Sequence, residues 1–192
     1  YLSELVYDEN IEYCPYRKLD KNRVIYIKSF SKTFLPGVRI GYLIAPKNLC
    51  ETIQNSKVNT DIATSTLMQR SLEMYIKEGY WKGYISFLKN EYKMRYDLMK
   101  RLLEEELKEY VTFIDPKGGL TFYIKLKNKE INSEELFYRL KEKGVYITPG
   151  AIFYRELNLG ESYFKIGFSQ VTEDEISRGI NIIREGFKQW HI

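Results

Sequence analysis

Cysteine, histidine and long apolar runs are all scarce in this 192-residue sequence, and each shortage excludes a class of protein. Two cysteines, Cys14 and Cys50, cannot form a disulfide framework, so a reduced, cytoplasmic setting is predicted. The single histidine, His191, argues against a His-based metal site or a Ser-His-Asp triad, and no metal is expected. No apolar run approaches the ~20 residues of a membrane-spanning helix, which excludes a spanning protein.

The charges show little bias toward either sign or either end. Thirty basic and 26 acidic residues are spread along the chain and leave a net charge of +4, which does not indicate nucleic-acid binding. Hydrophobic residues at 44% and charged residues at 29% are typical of a folded domain. The 17 tyrosines suit half-buried packing surfaces and polar-tipped pockets.

The first half of the chain reads as two strands followed by helices. Branched and aromatic residues predict strands over 24–30 and 40–45. Mixed polarity over 47–78 predicts helix–loop–helix, and 81–108 reads as one long amphipathic helix. The predicted apolar stripe of that helix is Tyr84, Leu88, Tyr92, Arg95, Leu98 and Leu102.

The second half reads as a small α+β unit. Two strands are predicted within 111–126, around a Pro116–Gly119 turn, and further strands or extended segments over 145–153 and 163–169. Between residues 126 and 145, a helix capped by Ser133 would run to about Lys143. Thr172 and Glu175 form a capping box for a last helix. Its core face is predicted to be Ile176, Ile180, Ile183 and Phe187.

The two strands before residue 47 have little sequence around them that could bury them. An isolated pair of strands is marginally stable in water. The sequence also begins at Tyr1 rather than at methionine. We therefore expect the chain to be the second half of a longer protein.

Chemistry-bearing residues concentrate in SFSKTFLPGVRIGYLIAP, residues 29–46. Lys32 follows a predicted strand directly, two hydroxyls (Ser29 and Ser31) precede it, and Arg39 lies beyond a Pro-Gly corner. Hydroxyls, turn amides and a guanidinium suit a phosphate, and a lysine amine beside them can attack an aldehyde. By composition alone, Lys32 could equally be a solvated surface charge.

This segment resembles the Schiff-base signature of fold type I pyridoxal-phosphate enzymes, S-x-S-K-x-x-x-P-G-x-R-x-G-Y. The resemblance implies that Lys32 binds the cofactor aldehyde and later shuttles a proton, and that Ser29 and Arg39 hold its phosphate. Ser31 is also expected to belong to the cofactor site. Tyr1 resembles the family tyrosine that contacts the cofactor's O3′. The P-K-G-G turn ending at Gly119 resembles the turn that approaches the substrate, although Pro-Gly clusters are also ordinary hairpin turns.

The resemblance covers nearly the whole chain and lies closest to 2-aminoadipate-type aminotransferases and MocR-type (GntR family) regulators. It implies an α/β fold: the C-terminal part of the aspartate aminotransferase-like fold. Residues 1–80 would complete the large cofactor-binding domain, 81–110 would be a connecting helix, and 111–192 would form the small α+β domain.

One position departs from the family pattern. Lys165 stands where the family has an arginine that binds the substrate carboxylate, and lysine offers a point charge without a planar fork. Lys165 could still bind the carboxylate, Arg155 could replace it, or Lys165 could be a surface residue of the strand.

Three functions therefore remain open. The first is a cytoplasmic, pyridoxal 5′-phosphate-dependent aminotransferase that transfers an amino group between an amino acid and a 2-oxo acid. The second is the aminotransferase-like effector domain of a MocR-type transcriptional regulator, which would reach DNA only through a separate N-terminal winged helix. The third is a scaffold without activity of its own. The family resemblance implies a homodimer in each case.

Overall fold

The computed structural model describes residues 2–11, 14–61 and 63–189, which divide into two units, Tyr1–Lys89 and Asn90–Ile192. The boundary falls within the long helix α4 (Tyr80–Glu106), which confirms the helix predicted over 81–108. Among the helices formed by these described residues, none is long and apolar enough to cross a bilayer.

The first unit contains an antiparallel hairpin of β1 (Tyr26–Ser29) and β2 (Gly41–Ile44). Tyr26 lies opposite Ile44, and Ser29 lies opposite Gly41. Both strands are shorter than predicted, although Phe30 N still donates to Ile40 O across the hairpin at 3.0 Å. Tyr42, Leu43 and Ile44 of β2 are 40–44% exposed. The Tyr42 ring lies 6.0 Å from the rings of Tyr26 and Phe30 in the same unit.

Helices complete the first unit. A short α1 (Tyr16–Leu19) precedes β1, and α2 (Lys47–Thr60) and α3 (Thr66–Lys77) confirm the predicted helix–loop–helix. Ser65 caps α3, because its Oγ accepts from Met68 N at 3.4 Å. The core of this unit combines residues from the hairpin and from α3. Its buried members are Val38, Ile40 and Leu72, and Phe30, Phe34, Met68 and Trp81 pack against them.

The second unit contains a four-stranded antiparallel sheet. Its strands are β3 (Val111–Phe113), β4 (Thr121–Leu126), β5 (Thr148–Pro149) and β6 (Tyr163–Gly167), in the order β3-β4-β6-β5. Alternate residues of β4 and β6 are buried, so the sheet has an inner and an outer face. On the inner face Phe122 stacks on Tyr96 of α4, with ring centroids 5.3 Å apart.

Two helices complete the second unit, α5 (Ser133–Lys141) and α6 (Glu173–Gln189). The predicted capping box of α6 is confirmed: Thr172 N donates to Glu175 Oε2 at 2.8 Å, and Glu175 N donates to Thr172 Oγ1 at 3.2 Å. All four residues of its predicted core face are buried. The capping box and the amphipathic period therefore identified this helix correctly.

Three local predictions were wrong. Asn132, not Ser133, caps α5, because its side chain accepts from Glu134 N, while Ser133 is the buried first helical residue. The extended segment over 145–153 pairs only through Thr148–Pro149, since proline cannot donate to the ladder, and a 3₁₀ turn follows at Gly150–Phe153.

The stripe of α4 is displaced by one position in its second half. Its buried side chains there are Tyr96, Met99 and Leu103, whereas Arg95, Leu98 and Leu102 are half-buried. The helix carries adjacent apolar pairs at 98–99 and 102–103, so the periodicity could not choose between the two registers.

Candidate active site

The loop that closes the β1–β2 hairpin carries the predicted lysine. Ser29 and Gly41 are the last strand pair of the hairpin, and a further hydrogen bond from Phe30 N to Ile40 O holds the two ends of the loop together. Ser31 and Arg39 therefore leave the hairpin next to each other along the backbone, and Lys32 follows Ser31 directly. Lys32 and Arg39 are both exposed. The structure thus brings Ser29, Ser31, Lys32 and Arg39 to one end of one hairpin.

Local bonds shape this loop. Ser31 N donates to Ser29 Oγ at 3.3 Å, and Phe34 N donates to Phe30 O at 2.8 Å, which bends the chain around Lys32. Pro36 begins a 3₁₀ turn, Pro36–Val38, that buries Val38. Arg39 ends this turn in the left-handed region, with φ of 51°. Such a conformation costs free energy for a residue other than glycine and is enriched at functional sites.

Gly41 fits tightly against the neighbouring strand. A Cβ at this position would lie 2.7 Å from the backbone O of Lys28, closer than real contacts allow. The glycine therefore permits the two backbones to approach at the point where the loop begins. This gives a steric reason for the G in the R-x-G-Y part of the motif.

Behind the loop lies an ion pair that the sequence analysis did not identify. Lys28, on β1, is 3% exposed. Its Nζ donates to the carboxylate of Glu4 and, at 3.4 Å, to Ser3 Oγ. A lysine inside the apolar string VIYIKSF was the available signal, since a buried charge requires a partner.

In the second unit, the predicted carboxylate ligand Lys165 lies on the sheet. Lys165 of β6 pairs with Tyr123 on one side and with Thr148 on the other, and its side chain belongs to the outer face. Its Nζ lies 4.9 Å from the centroid of the Phe153 ring. Arg155, the alternative carboxylate ligand, is exposed in the loop that follows this ring.

Gly119 belongs to a tight turn that a carboxylate holds. Lys117 and Gly119 both have positive φ, of 55° and 80°. Asp115 accepts from Lys117 N at 2.9 Å, from Lys100 Nζ at 2.7 Å and from the Tyr96 hydroxyl. Burial by itself would raise the pKa of Asp115, but these three hydrogen bonds outweigh it and hold the pKa below its ordinary value. This network was also absent from the sequence predictions.

Comparison with known proteins decides the family. Residues 4–183 match the family described as aminotransferase class I and II. This chain belongs to that family. Its fold is the α/β fold of fold type I pyridoxal-phosphate-dependent aminotransferases, as predicted. The family cofactor, pyridoxal 5′-phosphate, is likewise confirmed.

Three relatives illustrate the breadth of this aminotransferase family. An uncharacterised HTH-type transcriptional regulator, YdfD of Bacillus subtilis, is 32% identical over 178 residues, which cover 92% of this chain and 36% of the relative. The kynurenine aminotransferase of Pyrococcus horikoshii, solved in complex with PMP, is 32% identical with a TM-score of 0.89, covering 97% of this chain and 46% of that one.

The third relative is LysN, the α-aminoadipate aminotransferase of Thermus thermophilus, complexed with N-(5′-phosphopyridoxyl)-L-leucine. It is 25% identical with a TM-score of 0.86, covering 98% of this chain and 48% of that one. The predicted neighbourhood of 2-aminoadipate-type enzymes and HTH-type regulators is thereby confirmed. The chain spans between a third and a half of the length of these relatives.

The described residues of the aminotransferase chain suit the family cofactor chemically. The hairpin end offers hydroxyls and a guanidinium, which are phosphate donors, and a primary amine, which reacts with an aldehyde. Beside Lys32 the Thr33 hydroxyl is fully buried and has no hydrogen-bond partner among the described residues. Tyr1, predicted to contact the cofactor's O3′, lies outside the described residues.

Proposed function

We propose that the protein carrying this chain is a pyridoxal 5′-phosphate-dependent aminotransferase acting on an amino acid and a 2-oxo acid. One observation carries the proposal: the hairpin end gathers a lysine amine, two serine hydroxyls and an arginine in a sequence order that matches the family signature. The bound cofactor would supply the aldehyde and the electron sink for exchange of the amino group.

The residues of this chain have separate tasks in that proposal. Arg39 and the hydroxyls of Ser29 and Ser31 would hold the phosphate through charge-assisted hydrogen bonds. The Lys32 amine would hold the cofactor at its aldehyde and would move a proton at the substrate Cα. Tyr1 would orient the cofactor at O3′.

The second unit would bind the substrate. We assign the α-carboxylate to Lys165, whose position on the outer face is fixed by pairing with both neighbouring strands. Gly119, in its left-handed conformation, lets the turn backbone approach the ligand without a side chain in between. Arg155 stands in an exposed loop and serves as the comparison residue.

Replacement of Lys32 tests the assignment directly in the full-length protein. Lys32→Ala should abolish borohydride-trappable attachment of the cofactor and the associated visible absorbance. Lys57→Ala removes an exposed lysine of α2 and should leave both unchanged. Retention of trapped cofactor by Lys32→Ala, mapped by peptide mass spectrometry to another lysine, would refute the proposal.

A transcriptional regulator is the second candidate, and the likeness to YdfD favours it. In that case the aminotransferase-like region senses an amine or the cofactor, and DNA is bound by a separate winged-helix domain. Transamination by the full-length protein across a panel of amino acids and 2-oxo acids separates the two functions. Turnover supports the enzyme; cofactor attachment without turnover, combined with DNA binding, supports the regulator.

The setting and assembly belong to the same proposal. We propose a homodimer, because family members build their sites between two subunits. We also propose a cytoplasmic location, and the two free cysteines, Cys14 and Cys50, are compatible with it. Sedimentation of the full-length protein measures the assembly directly.

A further inference from the structure

On the outer face of the small sheet, Lys165 lies beside a group of aromatic rings. Phe153 lies with its ring centroid 4.9 Å from Lys165 Nζ, within the range of a cation–π interaction. Tyr123, opposite Lys165 in the ladder, meets Phe153 edge to face at 5.9 Å. Tyr163 stacks on Tyr123 at 5.3 Å, with the ring planes 6° apart. The ammonium therefore lies at the margin of an ordered aromatic group.

We propose that Phe153 is a positioning residue that orients the Lys165 ammonium toward the substrate carboxylate. This inference rests on the proposed function, in which Lys165 binds that carboxylate. Lysine carries its charge on a flexible stem, whereas arginine presents a planar fork. The ring face of Phe153 attracts one side of the ammonium, and its remaining N–H groups stay available to an external carboxylate.

The position of Phe153 is itself fixed by the backbone beneath it. Phe153 ends the 3₁₀ turn Gly150–Phe153, and Gly150 lies against Gly160 so closely that a Cβ on Gly150 would be 2.6 Å from Gly160 O. The ring centroid of Tyr154, the next residue, lies 6.2 Å from that of Tyr163 on β6. The turn is thus packed against Gly160 and against β6, so the Phe153 ring has a defined place.

Within the described part of the chain, the ammonium of Lys165 contacts a ring but no carboxylate. No described carboxylate forms an ion pair with it, whereas Lys100 and Arg184 in the same unit each have one. Phe153 is 49% exposed, so the ring and the ammonium together are accessible in this unit. A cation held by a ring and lacking a carboxylate partner suits an anionic ligand.

A double-mutant cycle in the full-length, cofactor-loaded protein tests this role, with pyruvate and phenylpyruvate as probes in calorimetric titrations. Phe153→Leu should weaken binding of both acids by about three- to tenfold, the range expected for a lost cation–π contact. Phe153→Tyr keeps a ring and should bind within about twofold of the unsubstituted protein. Ile152→Ala changes the exposed neighbour on the same turn and is the matched control.

The decisive measurement is the Phe153→Leu effect in a Lys165→Met background. If the ring acts through the ammonium, Phe153→Leu should add no further loss there. Equal losses in both backgrounds, or no loss in Phe153→Leu while Lys165→Met weakens binding, would overturn the role of Phe153 and leave Lys165 as the ligand. Unchanged binding in Lys165→Met, or loss in Arg155→Met instead, would refute the carboxylate assignment and this inference with it.

Discussion

The buried Nζ of Lys28 donates to the carboxylate of Glu4, 24 residues earlier in the chain. Lys28 belongs to β1, the strand that leads into Lys32, and Glu4 belongs to the turn Ser3–Leu5. The ion pair thus fastens the start of the chain to the strand behind the candidate site. Its effect is structural, since Lys28 is enclosed and the exposed Lys32 is the amine that a cofactor can reach.

Lys28→Met should destabilise the full-length protein by about 2–4 kcal/mol, because it leaves the Glu4 carboxylate without its partner. The double variant Lys28→Met/Glu4→Gln should recover part of that loss, since no charge then remains unpaired. The urea midpoints of the single and the double variant measure both changes in stability. Lys77→Met, which removes an exposed ion pair with Glu73, is the control and should change stability by less than about 1 kcal/mol. A loss for Lys28→Met no larger than the control's would contradict the buried-pair interpretation.

Asp115→Asn should destabilise the turn that carries Gly119 in a pH-dependent way. The folded pKa of Asp115 is depressed, so its carboxylate contributes stability above the unfolded value of about 3.9, and this stability is lost as pH falls through the folded pKa. We expect a loss of about 1–3 kcal/mol at pH 7 that shrinks below pH ~4. Urea unfolding of Asp115→Asn and of the unsubstituted protein, at pH 7 and at pH 3, measures this difference in stability.

Asp97→Asn is the matched control for that experiment. Asp97 pairs with Lys93 on an exposed stretch of α4, so its replacement should change stability little at either pH. An Asp115→Asn loss that is the same at pH 7 and at pH 3 would mean that the carboxylate charge is not what holds the turn.

Gly41→Ala should disturb the hairpin, whereas Gly37→Ala should be tolerated. A Cβ on Gly41 would meet the backbone O of Lys28 at 2.7 Å, while a Cβ on Gly37 would have no neighbour within 4 Å. We expect Gly41→Ala to cost about 1–3 kcal/mol of stability and to weaken cofactor retention, because the loop base must widen. Equal behaviour of the two variants in urea unfolding would show that the close approach is unimportant.

Thr33→Val tests whether the buried hydroxyl beside Lys32 has a partner in the full-length protein. Within the described residues Thr33 Oγ1 has none, so the isosteric change should be neutral or stabilising by up to about 1 kcal/mol. Ser133→Ala, at the other buried hydroxyl of this kind, should behave the same way. A marked loss of stability in Thr33→Val alone would reveal a hydrogen bond supplied from outside the described residues.

Local sequence patterns, such as helix periodicity and capping residues, predicted much of the secondary structure. The period of α6 and its Thr172–Glu175 capping box depend on residues within one or two turns of each other, and both were predicted correctly. The stripe of α4 was misplaced because adjacent apolar pairs fit two helical registers equally well, and only packing against Phe122 and its neighbours selects one. The cap of α5 failed for a similar reason: Asn132 and Ser133 are both good capping residues.

The sequence by itself determined the family and the order of the reactive groups around Lys32, because the signature lies within a span of 14 residues, from Ser29 to Tyr42. Only the tertiary structure decided which charged side chains are buried and which residues they contact. The ion pair of Lys28 with Glu4, the hydrogen bonds from Tyr96 and Lys100 to Asp115, and the ring of Phe153 beside Lys165 join residues 12 to 24 positions apart. Such pairings depend on strand register and burial, which no local pattern specifies.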